Sequence, residues 1–290
     1  MTLSFKKIGL TGKHNNAEVR STLASLFLFL QSKGLEIVME AQCAKAMFDL
    51  KVKSCSRDEL GPQCDLIIVV GGDGSLLDAA RAVVDNDVPV LGVNRGRRGF
   101  LTDISPQALT QSLEPILQGA YQEESRFLLE MELWRGGKMI EHGLALNDVV
   151  LYSGDIARMI EFEVLIDQKL VYRQRADGII CATPTGSTAY ALSGGGPILH
   201  PALPAIVLVP MHPSTLSNRP IVIDSKVPAE IHIMPDNLLN PRLSCDGQVH
   251  FNAKPNDRII VRRKTKELRL LHPNDYDYYN TLRTKLGWSA

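Results

Sequence analysis

Through about residue 120 the chain alternates short apolar runs with stretches of helical periodicity. "KKIGL" (6–10), "LEIVM" (35–39), "CDLIIVV" (64–70) and "VPVLGVN" (88–94) read as strands. The third is the continuous apolar run of a strand buried on both faces. Between them, Val19, Leu23, Leu26 and Leu30 fall at helical spacing over residues 17–33, and "SLLDAARAVV" (75–84) predicts a helix starting near Ser75. Ser105 and Pro106 form an N-cap and N1 pair that opens a further helix, running to about Gln118 and ended by Gly119. Strands alternating with helices predict a Rossmann-like parallel α/β domain over 1–124.

After residue 125 the rhythm becomes strand and turn. "FLLEMELWR" (127–135), Gly136-Gly137 and "KMIEHGLALNDVVLY" (138–152) predict one hairpin; "MIEFEVLID" (159–167) and "QKLVYRQ" (168–174) predict another. "AIVLVP", "RPIVID", "AEIHIM", "RIIVRR" and "ELRLL" add separate strands, so residues 125–274 form a β-rich, sandwich-like domain. The tail 275–290, "DYDYYNTLRTKLGW" at its core, is helix-like and packs on either domain.

Composition narrows the chemistry. With 32 basic and 32 acidic residues, no net field recruits nucleic acid or an anionic membrane. The longest apolar run is too short to span a bilayer and the N-terminus lacks a signal-peptide pattern, which predicts a cytoplasmic protein. Five scattered cysteines, none spaced as CxxC, predict reduced thiols, and seven histidines without HxH or HExxH spacing predict no protein-built metal site.

The chemistry-bearing residues lie in four loops. "VVGGDGSLL" (69–77) sits at the carboxyl end of a parallel strand, where α/β sheets bind ligands. Its glycines and helix start suit phosphate, while Asp73 suits either a base for an attacking hydroxyl or a magnesium ligand; an ordinary helix-capping turn fits equally well. "GVNRGRRGFLTD" (92–103) sets Arg95, Arg97 and Arg98 at the next strand end, where they neutralise phosphates or face solvent. "LALNDVV" places Asn147 and Asp148 within an apolar run, a pair that suits sugar hydroxyls or a solvent-facing strand edge. "ADGIICATPTGSTAYALSGGGP" (176–197) follows a strand with hydroxyls crowded at Thr183, Thr185, Ser187 and Thr188 and then Tyr190; these suit a nucleotide, with the ring able to stack on a base, or a Gly/Ser/Thr-rich connection. "SCDGQ" (244–248) lacks a histidine partner for covalent catalysis.

Taken in order, these segments and the closing "YYNTLRTKLGW" resemble NAD kinases of the bacterial type along nearly the whole chain; the "TPTGSTAY" block carries most of the specificity. The resemblance implies transfer of a phosphoryl group from ATP, or in some members polyphosphate, to the 2′-hydroxyl of the adenosine ribose of NAD, with a divalent cation such as magnesium. It implies Asp73 as general base with Gly74 beside the substrate, Asn147 and Asp148 on ribose hydroxyls, and Asp177 at the nicotinamide end. Thr188, Ala189, Tyr190, Ala191, Leu192 and Ser193 fall on the adenine side, and Arg158, Arg175 and Gln248 also match nucleotide-binding positions. It further implies a homo-oligomer, dimer or tetramer. Many members carry Glu where this chain has Asp148, and an apolar residue where it has Arg98. A lipid or sphingoid-base kinase sharing the GGDG loop, and a non-catalytic module that senses NAD or NADP, are the alternatives.

Overall fold

The computed structural model describes residues 3–47, 51–96, 99–154, 158–215, 217–238 and 240–288. Its contacts divide the chain into two compact units, Met1–Ser125 with Lys266–Ala290, and Arg126–Thr265. The C-terminal tail thus groups with the N-terminal half.

The first unit runs β1 (Lys7–Gly12), α1 (Ala17–Ser32), β2 (Glu36–Glu40), α2 (Ala41–Lys45), β3 (Lys53–Cys55), α3 (Leu60–Gln63), β4 (Leu66–Gly71), α4 (Asp73–Val83), β5 (Val90–Asn94) and α5 (Leu109–Leu117). Strands β3-β2-β1-β4-β5 pair side by side, all parallel. All six residues of β4 are buried, as its unbroken apolar pattern requires. Asn16 caps α1 through its side-chain oxygen, which accepts from Glu18 N (2.8 Å) and Val19 N (3.2 Å). That helix then lays Val19, Leu23, Leu26 and Leu30 onto Ile8, Leu10, Ile68 and Val70, each buried leucine contributing about 2 kcal/mol. β1 is flanked by β2 on one side and β4 on the other, so the strand order reverses between β1 and β4. In open α/β sheets that reversal opens a crevice for ligands.

Two helix starts differ from expectation. α4 begins at Asp73 rather than near Ser75, because extended Gly72 serves as its N-cap and its carbonyl accepts from Ser75 N at 3.0 Å. Ahead of α5, Pro106–Ala108 form a turn of 3-10 helix, and the Ser105 hydroxyl bonds the Gln107 side chain (2.5 Å) instead of capping.

The second unit is built from β6 (Gln122–Arg135), β7 (Lys138–Ala145), β8 (Asp148–Tyr152), β9 (Ile160–Ile166), β10 (Lys169–Ala176), β11 (Gly178–Ala182), α6 (Tyr190–Ser193), β12 (Ala205–Met211), β13 (Ile221–Asp224), β14 (Ala229–Ile233), β15 (Arg242–Cys245), β16 (Val249–Asn252) and β17 (Arg258–His272). One of its sheets runs β10-β9-β14-β17-β6-β7 and the other β13-β12-β11-β8-β15-β16. Their inner faces share one apolar core that includes Phe127, Leu151, Phe162, Ile179, Ile206, Ile231 and Ile259. On the outer face of the second sheet, Ala191 and Leu199 pack over Ile180, Val207 and Val209.

The two expected hairpins form across left-handed turns, Gly136-Gly137 (φ 56 and 78) and Asp167-Gln168 (φ 51 and 61). Three features depart from expectation. The run after Lys138 breaks at Leu146-Asn147, where the chain leaves one sheet and enters the other. "RIIVRR" and "ELRLL" belong to one strand, β17, which continues through its polar middle; there Lys264 is buried and its Nζ reaches Glu130 Oε1 on β6 at 3.3 Å. β15 and β16 were not foreseen. The far end of β17 pairs parallel with β5 inside the first unit as a sixth strand. The tail forms α7 (Tyr278–Leu286), capped by Asp277 and closed by left-handed Gly287. No helix of the described residues is long and apolar enough to cross a membrane.

Candidate active site

In the first unit, β4 delivers Gly71 and Gly72 and α4 starts with Asp73. The Asp73 carboxylate turns toward the segment after β5. It accepts from Phe100 N (2.6 Å) and Leu101 N (3.1 Å), and Thr102 Oγ1 lies 3.5 Å away. Gly99 lets this segment close in, since a Cβ there would sit 1.7 Å from Asp73 Oδ1. A carboxylate has about four lone-pair directions, so this grip orients Asp73 and leaves one for a further donor. The segment itself is fixed: Asn94 Nδ2 donates to Thr102 O (3.3 Å), and Asn94 N to Ile104 O (2.8 Å). A cleft of about 840 Å³ opens beside it, lined by Asn94, Arg95, Gly99, Thr102, Asp103 and Lys285 among others. Arg95 turns to α1, where its Nε donates to Thr22 Oγ1 at 2.5 Å. Arg97 and Arg98 lie outside the described residues.

In the second unit, Leu146-Asn147-Asp148 is held by one carboxylate. Asp246 accepts from Leu146 N (3.1 Å), Asn147 N (2.7 Å) and Asp148 N (3.3 Å), and its own N–H donates to Asp148 O (2.9 Å). The hydroxyl block is laced to the same crossing. Thr183 donates through N to Asn147 O (2.9 Å) and through Oγ1 to Leu146 O (2.6 Å), while Gly186 N donates back to Thr183 Oγ1 (3.0 Å). Any side chain at Gly186 would collide with Asn147 O, 2.1 Å from its Cβ position. Asn147 and Asp148 are thereby presented with side chains that make no hydrogen bond among the described residues. Burial and the Asp246 charge push the Asp148 carboxyl up from 3.8 to about 7.

The other expected residues fall in four places. Tyr190, 47% exposed, and Ser193 line a cleft of about 480 Å³ with Met211, His212 and Asn218. Asp177 faces this group through His212, whose Nδ1 lies 3.1 Å from its carboxylate. Arg158 and Arg175 line a separate cleft of about 460 Å³ with Glu161 and Asp236. Gln248 is exposed in the turn after β15, where its N–H donates to Cys245 O at 3.0 Å. Thr188 donates to Thr185 O at 3.2 Å, Ala189 and Leu192 are half-buried, and Ala191 packs inward with its carbonyl bonded to Gly196 N. Gly74 lies in the first turn of α4. Among the described residues, no group of three or more His, Cys, Asp or Glu gathers as a metal site.

Asp246 and Gly99 were missed as site builders, and Thr183, expected among the crowded hydroxyls, instead ties the block to Leu146 and Asn147. The Asp-Gly dipeptide marks a tight turn in the sequence, but its hold on residues about 100 positions away does not show there.

A glycine-rich loop at a strand end beside a sheet's reversal point, and a hydroxyl-laced turn in a β-sandwich, are features of a nucleotide-binding protein. Residues 8–121 match the ATP-NAD kinase N-terminal domain, and residues 146–272 the ATP-NAD kinase C-terminal domain. The NAD kinase of Chromohalobacter salexigens is 52% identical over 286 residues, 99% of this chain and 98% of that protein. That of Marinomonas sp. is 50% identical over the same coverage. This chain belongs to the NAD kinase family, which decides against the lipid-kinase alternative. Two solved structures share the fold. Yeast NADH kinase complexed with NADH has a TM-score of 0.90 at 24% identity, covering 98% of this chain and 88% of that one. An Archaeoglobus fulgidus NAD kinase in complex with ATP has a TM-score of 0.77 at 22% identity, covering 98% and 100%.

Proposed function

We propose that this chain transfers the terminal phosphoryl group of ATP to the 2′-hydroxyl of the adenosine ribose of NAD, giving NADP, with Asp73 as general base. The observation that carries this reading is the grip of two backbone N–H groups on the Asp73 carboxylate, which aims it and leaves a lone pair for a substrate hydroxyl. In a loose transition state the hydroxyl need not ionise early, so orienting it matters more than base strength. The N-terminal end of α4 carries positive partial charge that favours phosphate. Asn147 and Asp148 hold ribose hydroxyls, Tyr190 stacks on the adenine within the run Thr188 to Ser193, Asp177 meets the nicotinamide end, and Arg158, Arg175 and Gln248 complete the nucleotide contacts. A divalent cation such as magnesium arrives with ATP and neutralises phosphate charge.

Two wider properties belong to the same reading. Exposed Met139 and Ile140 on β7, and Leu170 and Val171 on β10, lie on edge strands and favour a homo-oligomer. The five cysteines are free thiols, which fits the cytoplasm.

The test is NADP formation from NAD and MgATP, read with an NADP-specific dehydrogenase. Asp73→Asn should lower kcat by about 10²–10⁴-fold while NAD affinity changes little. Wild-type turnover in that variant would remove Asp73 from the base role.

A further inference from the structure

Histidine 272, at the end of β17, is fully buried between two carboxylates. Its Nδ1 hydrogen-bonds Asp103, in the segment after β5. Its Nε2 lies 3.3 Å from Glu124 Oε2 on β6, at ion-pair distance though off the line of a hydrogen bond. The Tyr276 ring stacks on the imidazole at 3.8 Å. Burial alone disfavours charge on the ring, but Asp103 and Glu124 outweigh it and raise the pKa above 6.5. One imidazolium between two carboxylates compensates charges that would otherwise repel in a dry setting.

The sequence position of Asp103 gives this cluster its consequence. Leu101, two residues earlier, donates one of the two N–H bonds that hold Asp73, and Phe100 donates the other. Thr102, between Leu101 and Asp103, is 3% exposed and pinned by Asn94. The segment from Gly99 to Asp103 therefore has the Asp73 carboxylate at one end and His272 at the other.

Building on the reading of Asp73 as base, we propose that His272 is a positioning residue for the phosphoryl transfer: by bridging Asp103 and Glu124 it fixes the Gly99–Asp103 segment, and through that segment's N–H groups it fixes the aim of Asp73. Neutral histidine keeps the Nδ1 bond to Asp103 but loses the charge attraction to Glu124, so the bridge weakens as pH rises through the raised pKa of the ring.

The experiment compares wild type, Asp103→Asn, His272→Gln, the double variant and Asp73→Asn for kcat and KM of NAD from neutral to alkaline pH, with thermal unfolding as the check on folding. Asp103→Asn and His272→Gln should each lower kcat roughly ten- to a hundredfold with KM within about twofold. The double variant should lose no more than the worse single variant, because both break one bridge. The alkaline fall in kcat should move to lower pH in Asp103→Asn, which leaves His272 a weaker partner, and vanish in His272→Gln. Asp103 is partly exposed, so if His272→Gln does not fold, Asp103→Asn decides. Folded variants with kcat within about twofold of wild type, or with KM rising in step with the loss of kcat, overturn the proposal while an inactive Asp73→Asn leaves the base reading standing. An active Asp73→Asn overturns both.

Discussion

Asp73 sits in the first turn of a helix and receives two backbone N–H donors, whereas Asp148 lies buried at the start of a strand, beside a second carboxylate, and receives none. Both are held by loops from distant sequence, but the holding is inverted. At Asp73 the backbone grips the side chain; at Asp148 another side chain, Asp246, grips the backbone and leaves the Asp148 carboxyl outside the hydrogen bonds. The first arrangement fixes the direction of a carboxylate. The second raises a carboxyl to a pKa of about 7, where it can either donate or accept a hydrogen bond.

Gly99→Ala attacks the first arrangement and should have the largest effect. Its methyl would overlap Asp73 Oδ1, so either the carboxylate or the segment must move, and kcat should fall roughly a hundredfold. Steady-state kinetics showing only a few-fold loss would mean that the segment does not hold Asp73 during turnover.

Asp246→Asn attacks the second arrangement more gently. The amide oxygen still accepts, but three N–H groups lose a charged partner, so urea titration near pH 5 should show a loss of about 1–2 kcal/mol, with KM for NAD rising several-fold. The loss should shrink toward about pH 8, where removing one carboxylate relieves its repulsion with ionised Asp148. A loss that stays level or grows with pH would show that repulsion between the two carboxylates is negligible.

Asp148→Asn sharpens the contrast through stability alone. Between 3.8 and about 7 the folded protein binds more protons at Asp148 than the unfolded chain does, so wild-type stability falls as pH rises through that window. The variant lacks that fall. It should match wild type near pH 4 and melt a few degrees higher near pH 8. Identical melting curves at both pH values would place the Asp148 pKa near its ordinary position.

Local pattern made much of the fold legible. The apolar run Leu66–Val70 announced a central parallel strand, and Asp167-Gln168 between alternating runs announced a hairpin. What stayed hidden depends on partners far along the chain. The break at Leu146-Asn147 reads as strand because its apolar neighbours continue; only the Asp246 carboxylate and Thr183 make a crossing favourable there. Lys264 reads as a strand end until Glu130 supplies its partner. At the candidate site, motif order identified Asp73, Asn147 and Asp148 as residues of interest, while of the groups around them Gly99 and His272 carry no local signature and Asp246 shows only as a turn residue. His272 in particular looks like any isolated histidine until Asp103 and Glu124 are brought to it.

The Asp246 anchor also sets a schedule for synthesis. Leu146, Asn147 and Asp148 find their acceptor 100, 99 and 98 residues downstream. A ribosome adding about 5–20 residues per second needs roughly 5–20 s to span that interval. Until the β15–β16 turn emerges, the crossing has three amide groups without their native partner, so this corner of the second unit is among its last pieces to mature. A nascent chain truncated before residue 246 would carry most of its strands and still lack the corner.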